Sequence, residues 1–133
     1  MPIEFNHAGI VVSDIEASTH FYRDLLGFDV VTSFKMPGDW PITYLRSGRG
    51  QLELLGKHQV PRRNGPNEWG SNPGITHIAF KTDDLEGIAK RLREAGVEFK
   101  SQPKPAGSGV GRLMFVYDPD YNEVEIIQRD VDW

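Results

Sequence analysis

Four side chains in this chain could together hold a metal ion: His7, Glu53, His77 and Glu125. The histidines stand in N-H-A-G-I-V-V and I-T-H-I-A-F, the glutamates in Q-L-E-L-L and E-V-E-I-I, so each polar residue is set in a short apolar stretch. His7 to His77 is 70 positions and Glu53 to Glu125 is 72, which is a half-chain unit recurring with its polar pair in register. Two imidazoles and two carboxylates are the donor set that a divalent cation requires. The chain has no cysteine, so the site must use nitrogen and oxygen alone, a set that suits Ni, Co, Zn, Mn or Fe alike.

The elements that must carry these residues follow from the same repeat. After each histidine an apolar run leads into a segment of helical character, S-D-I-E-A-S-T-H-F-Y-R-D-L-L-G-F and T-D-D-L-E-G-I-A-K-R-L-R-E-A-G-V. Ser13 or Asp14 with Glu16, and Asp83 with Glu86, have the spacing of N-terminal caps, and Gly27 and Gly96 are placed as C-terminal stops. The stops are 69 positions apart, one fewer than the histidines. Three strands are expected after each helix, 28–34, 42–46 and 51–55 in the first half and 97–101, 112–117 and 122–128 in the second. The reading is an α+β fold of two β-α-β-β-β modules, 4–56 and 75–129, joined by a connector over 57–74, within one domain spanning 1–133. The modules are expected to form a curved, mostly antiparallel sheet with helices on its convex face.

Side chains alternate across a strand, so the facing of each candidate can be read directly. His7, Gly9 and Val11 share one face of their strand, opposite Ala8, Ile10 and Val12; His77 and Ala79 oppose Ile78 and Phe80. Glu53 opposes Leu52 and Leu54, and Glu125 opposes Val124 and Ile126. One face is therefore apolar and suits packing under the helices, while the other presents the four candidates on a concave side open to a metal and a small ligand. A lone strand histidine is more commonly a hydrogen-bonded core residue, and a lone strand glutamate a solvated one. Matched occurrence in both halves, with consistent parity, favours the metal site. His20 in the first helix and His58 in the connector are read as solvated.

Composition narrows the function classes. With 26% charged and 38% hydrophobic residues, the 133-residue chain can bury a core and is not disordered. A net charge of −4 gives no electrostatic reason to bind nucleic acid. No run reaches the ~20 apolar residues of a membrane span, and the start lacks the character of a signal peptide, so the cytoplasm is expected.

At H-A-G-I-V-V-S-D-I-E, F-Y-R-D-L-L-G-F, G-I-T-H-I-A-F and D-P-D-Y-N-E-V-E-I-I-Q the chain resembles the vicinal oxygen chelate superfamily, the fold of glyoxalase I, acyl-CoA epimerases, extradiol dioxygenases, and fosfomycin and bleomycin resistance proteins. Tyr121 stands where the family's D-P-D-G-N ending has glycine. The His-Glu-His-Glu set is similar to that of bacterial glyoxalase I, which uses nickel or cobalt. The resemblance implies a lyase or isomerase that moves a proton next to a carbonyl through a metal-bound enediolate, with Glu53 and Glu125 as the catalytic carboxylates and Glu125 as the base. Thr32 occupies the place of an arginine that grips glutathione in glyoxalase I; Lys57, Arg62, Arg63, Lys104 or Arg112 could hold an anionic ligand instead. Phe34, Trp40, Tyr44, Trp69 and Met114 are candidate pocket residues. The alternatives are an acyl-CoA epimerase, a ring-cleaving dioxygenase, or a protein that sequesters a drug or metabolite. The implied partners are a small-molecule substrate and a second copy of the chain in a homodimer, with the ligands drawn from one chain or from two.

Overall fold

A computed structural model describes residues 2–56, 60–66, 68 and 73–133. Lys57, His58 and Trp69 of the connector lie outside the described residues. The chain divides into two compact units, Met1–Arg62 and Arg63–Trp133.

The first unit runs β1 (His7–Val12), helix α1 (Ile15–Thr19) continuing without a break as a π-helical run over His20–Leu25, β2 (Asp29–Met36), β3 (Trp40–Ser47) and β4 (Gly50–Gly56). The second runs β5 (His77–Lys81), α2 (Leu85–Glu94), β6 (Phe99–Pro105), β7 (Arg112–Tyr117) and β8 (Glu123–Gln128). Each unit builds its own four-stranded mixed sheet, in the orders β1-β4-β3-β2 and β5-β8-β7-β6. In each, the first strand lies parallel to the last and the other pairings are antiparallel. The fold is thus α+β, with the expected β-α-β-β-β order in both halves. Among the described residues no helix is long and apolar enough to cross a membrane.

Apolar alternation builds the two cores. Val12, Leu52 and Leu54 are buried in the first unit, and Met114, Val116, Val124 and Ile126 in the second. Helix α2 lies against β6 and β8 and buries Leu85, Ala89 and Leu92, which recur at helical spacing with the half-buried Ile88. Met114 is fully buried in this layer, so it is a core residue and not a pocket residue.

The first cap is one of the two expected and the second differs by one position. Asp14 caps α1, accepting from the N–H groups of Glu16 and Ala17. In the second unit Asp84, not Asp83, is the cap and accepts from Gly87, while Glu86 turns aside to pair with Arg112 at 2.6 Å. That pair holds Arg112 toward α2, on the face opposite the candidate site. Gly27 and Gly96 end the helices at φ 82° and 76°, a left-handed conformation that glycine adopts without steric cost.

The π-helical run accounts for the slip in the repeat. The N–H of Phe28 bonds the carbonyl of Tyr22, six residues back, whereas Val97 bonds Leu92, five back. A wider turn absorbs one extra residue without moving the helix ends. The first helix therefore carries one residue more than the second between matching strands.

Candidate functional site

The observed register puts each His–Glu pair on one sheet face. In the first unit Gly9 is the direct partner of Glu53 across β1 and β4, and Tyr44 is its partner across β3 and β4. In the second, Ala79 and Phe115 hold the same places around Glu125. The glycine has a spatial reason: a Cβ built at residue 9 would stand 3.1 Å from Oε1 of Glu53 and 3.3 Å from Leu55. The bare backbone leaves room for the carboxylate.

Both histidines are anchored by the residue before them. Nδ1 of His7 lies 2.6 Å from Oδ1 of Asn6, and Nδ1 of His77 lies 2.7 Å from Oγ1 of Thr76. An amide oxygen only accepts, so His7 donates from Nδ1 and keeps the lone pair of Nε2 for the sheet face. Orientation of one ring nitrogen by a fixed partner is the usual support of a metal-ligating histidine. Sequence reading passed over Asn6 and Thr76, although they also recur at an offset of 70.

The remaining contacts distinguish the units. Nε2 of His77 lies 2.9 Å from Oε2 of Glu125, with side chains 28% and 13% exposed. A carboxylate only accepts, so Nε2 carries a proton in this contact and would release it on binding a metal. In the first unit the hydroxyl of Tyr44 donates a short hydrogen bond to Glu53 and stands 3.5 Å from Nε2 of His7. The bond to Glu53, followed by burial, raises the Tyr44 phenol above its ordinary value. The aromatic frames match: the His7 and Tyr44 rings meet edge-on at 5.2 Å, and those of His77 and Phe115 at 5.3 Å. Phe34 stacks on Tyr44 at 6.2 Å, and Thr32 is the register partner of Tyr44, so the position of the expected arginine borders this site.

Among the described residues no three His, Asp or Glu side chains gather into one metal-holding group; each unit brings together two of the four candidates. The donors fit a divalent ion. Each unit supplies one imidazole whose far nitrogen is tied down and one carboxylate beside it, and Gly9 leaves Glu53 its space. His20 is exposed and pairs with Asp24 at 2.8 Å, so it takes no part.

At the family's D-P-D ending, the buried Asp118 accepts from the backbone N–H groups of Asp120 and Asn122 and from the Asn122 side chain, each at 2.9 Å. Tyr121 takes φ 63° there, the left-handed conformation for which the family's glycine is suited.

Comparison with known proteins agrees with this fold. The model of the Glyoxalase/Bleomycin resistance protein/Dioxygenase superfamily matches residues 4–126. A probable lactoylglutathione lyase of Synechocystis sp. is 27% identical over 92% of this chain and 92% of its own length. The crystal structure of a glyoxalase family protein from Enterococcus faecalis superposes with a TM-score of 0.76 at 27% identity, over 93% of this chain and 96% of that one. The fosfomycin resistance protein FosX of Mesorhizobium loti shares the fold, with a TM-score of 0.70 at 20% identity over 96% and 92% of the two chains.

Proposed function

This chain belongs to the Glyoxalase/Bleomycin resistance protein/Dioxygenase superfamily, and from that premise we propose that it is a metal-dependent lyase or isomerase of the glyoxalase I type. The reaction moves a proton on the carbon beside a carbonyl. The observation that carries the reading is the recurrence, one per unit, of a His–Glu pair whose imidazole is anchored through Nδ1. Relatives named lactoylglutathione lyase support it.

His7, Glu53, His77 and Glu125 would hold the divalent metal, which when bound supplies Lewis-acid polarisation of a carbonyl oxygen. Glu125 is the proposed base. Tyr44 commits its hydroxyl to Glu53, whereas Phe115, at the matching place, offers Glu125 no hydrogen bond. A carboxylate without that clamp can take a proton from the substrate carbon and return it to its neighbour. The protein would act on a small oxo compound, in the cytoplasm, as a homodimer with two equivalent metal sites.

Formation of a thioester from methylglyoxal and glutathione, with protein loaded in turn with Ni, Co, Zn and Mn, tests the reading. Absence of product with every metal would sink the glutathione version. Thr32, the register partner of Tyr44, holds the place of the arginine that grips glutathione in glyoxalase I, which opens a second reading, an acyl-CoA epimerase. Deuterium exchange from solvent into methylmalonyl-CoA would establish it.

A further inference from the structure

The second unit holds a charge pair that the first lacks. In the parallel pairing of β5 with β8, the residue directly opposite His77 is Glu123, not Glu125. Glu123 shares the ligand face with Glu125, two positions along β8, and its side chain is only 3% exposed. Nonetheless the imidazole meets Glu125, at 2.9 Å. Glu123 is engaged elsewhere: Nζ of Lys100 lies 2.6 Å from its Oε1.

Lys100 reaches that carboxylate from two strands away, beside a β-bulge. Phe99 pairs with Val116 and Ser101 with Phe115, so Lys100 is the extra residue between them. Alternation from Phe99 turns Lys100 to the ligand face. Phe99 lies under Arg93 of α2, while the ammonium of Lys100 stands 5.8 Å from the Phe115 ring on the opposite face. The first unit has the same bulge, between Val30 and Thr32, but it carries Val31. There the residue opposite His7 is the neutral Gln51. The cation and the additional carboxylate thus occur together in one unit, and neither in the other.

We infer that Lys100 is a positioning residue: it holds Glu123 away from His77 and so keeps a third carboxylate out of the metal-ligand set. The inference rests on the proposed function for its metal, but not for its geometry. A buried carboxylate without a cation is costly and turns to the nearest donor or positive charge. With Lys100 removed, the donors on the flanking strands are the Tyr117 hydroxyl and the imidazole of His77, beside which a metal would bind, and only the second lies in the ligand set. The site would then hold its ion more tightly and lose the balance between two carboxylates on which exchange of Glu125 depends.

Two measurements test this. Calorimetric titration with Zn alone should show K100M binding about tenfold more tightly than wild type. K100R should match wild type, because it restores the cation. The double variant K100M/E123Q, which removes both charges, should bind within about threefold of wild type. Unchanged or weaker binding by K100M would overturn the inference, as would a loss of tenfold or more in the double variant, since Glu123 would then be a ligand already. The second measurement is a crystal structure of metal-free K100M. It should place a Glu123 oxygen within hydrogen-bond distance of Nε2 of His77; Glu123 keeping its original position would contradict the inference. Failure of wild type to bind any divalent metal would sink the proposed function, while the metal-free structure would still decide the role of Lys100. If K100M does not fold, the double variant remains decisive.

Discussion

The two units place a histidine and a glutamate on equivalent strands, yet they hold the glutamate differently. Glu53 accepts from Tyr44 and packs against the bare backbone of Gly9. Glu125 has Phe115 and Ala79 in those places, and its close partner is His77 itself. Duplicated β-α-β-β-β units thus fix the direction of four side chains, while single cross-strand neighbours decide what each carboxylate bonds. On the proposed function, the hydroxyl at residue 44 and the plain ring at residue 115 would separate a structural ligand from a proton carrier.

The largest effect that breaks this symmetry is expected from the glutamates. E125Q keeps an oxygen donor but cannot carry a proton. Turnover should fall by about two to four orders of magnitude, with metal content by elemental analysis unchanged. E53Q should do the opposite: about 10–100-fold weaker metal binding, with turnover largely recovered at saturating metal. Equal behaviour of the two variants would show that the units are interchangeable.

Exchanging the clamps is the next test. F115Y gives Glu125 the hydroxyl that Glu53 has, and kcat should drop by about tenfold with KM little changed, as expected for a clamp on the base. The reverse change, Y44F, removes a charge-assisted hydrogen bond from a partly buried carboxylate. It should cost about 1–2 kcal/mol in denaturant unfolding of the metal-free protein. No change in stability would mean that the Tyr44 hydroxyl does not hold Glu53.

The smallest effect concerns Tyr117, the register partner of Glu123; Arg46 faces Gln51 at the matching place. Burial, and secondly the Glu123 carboxylate, raise the Tyr117 phenol above its ordinary value. The stability linked to this proton is fully present below the unfolded phenol value near pH 10, and is lost as pH rises through the higher folded value. In an ultraviolet titration E123Q should bring the Tyr117 step down toward the ordinary range. It should not bring it fully back, because burial remains. A step that stays put would remove Glu123 from the causes.

Much of this was legible in the residues themselves. Alternation with period two makes the facing of His7, Glu53, His77 and Glu125 readable without coordinates, and the observed register puts each pair on one sheet face. The helix stops at Gly27 and Gly96 follow from the conformational freedom of glycine. What stayed hidden depends on which residue lies opposite which. Tyr44 could be named only as a pocket residue, because its role comes from pairing with Glu53 across β3 and β4. Lys100 was passed over for a similar reason: its partner, Glu123, lies two strands away. Asp83 and Asp84 are chemically equal caps, and the choice between them is set by where the backbone first turns helical. The one-residue slip between the repeats was visible, but nothing in the residues said that a π-helical turn would absorb it.

The central claim is that the unlike His–Glu pairs of both units are metal ligands. Metal content of protein purified without chelator, measured for wild type, H7A and H77A, tests it most directly. The account predicts one divalent transition-metal ion per chain in wild type, and loss of that ion in both variants, each from a different unit. Wild type without metal, or either variant keeping its ion, would contradict it.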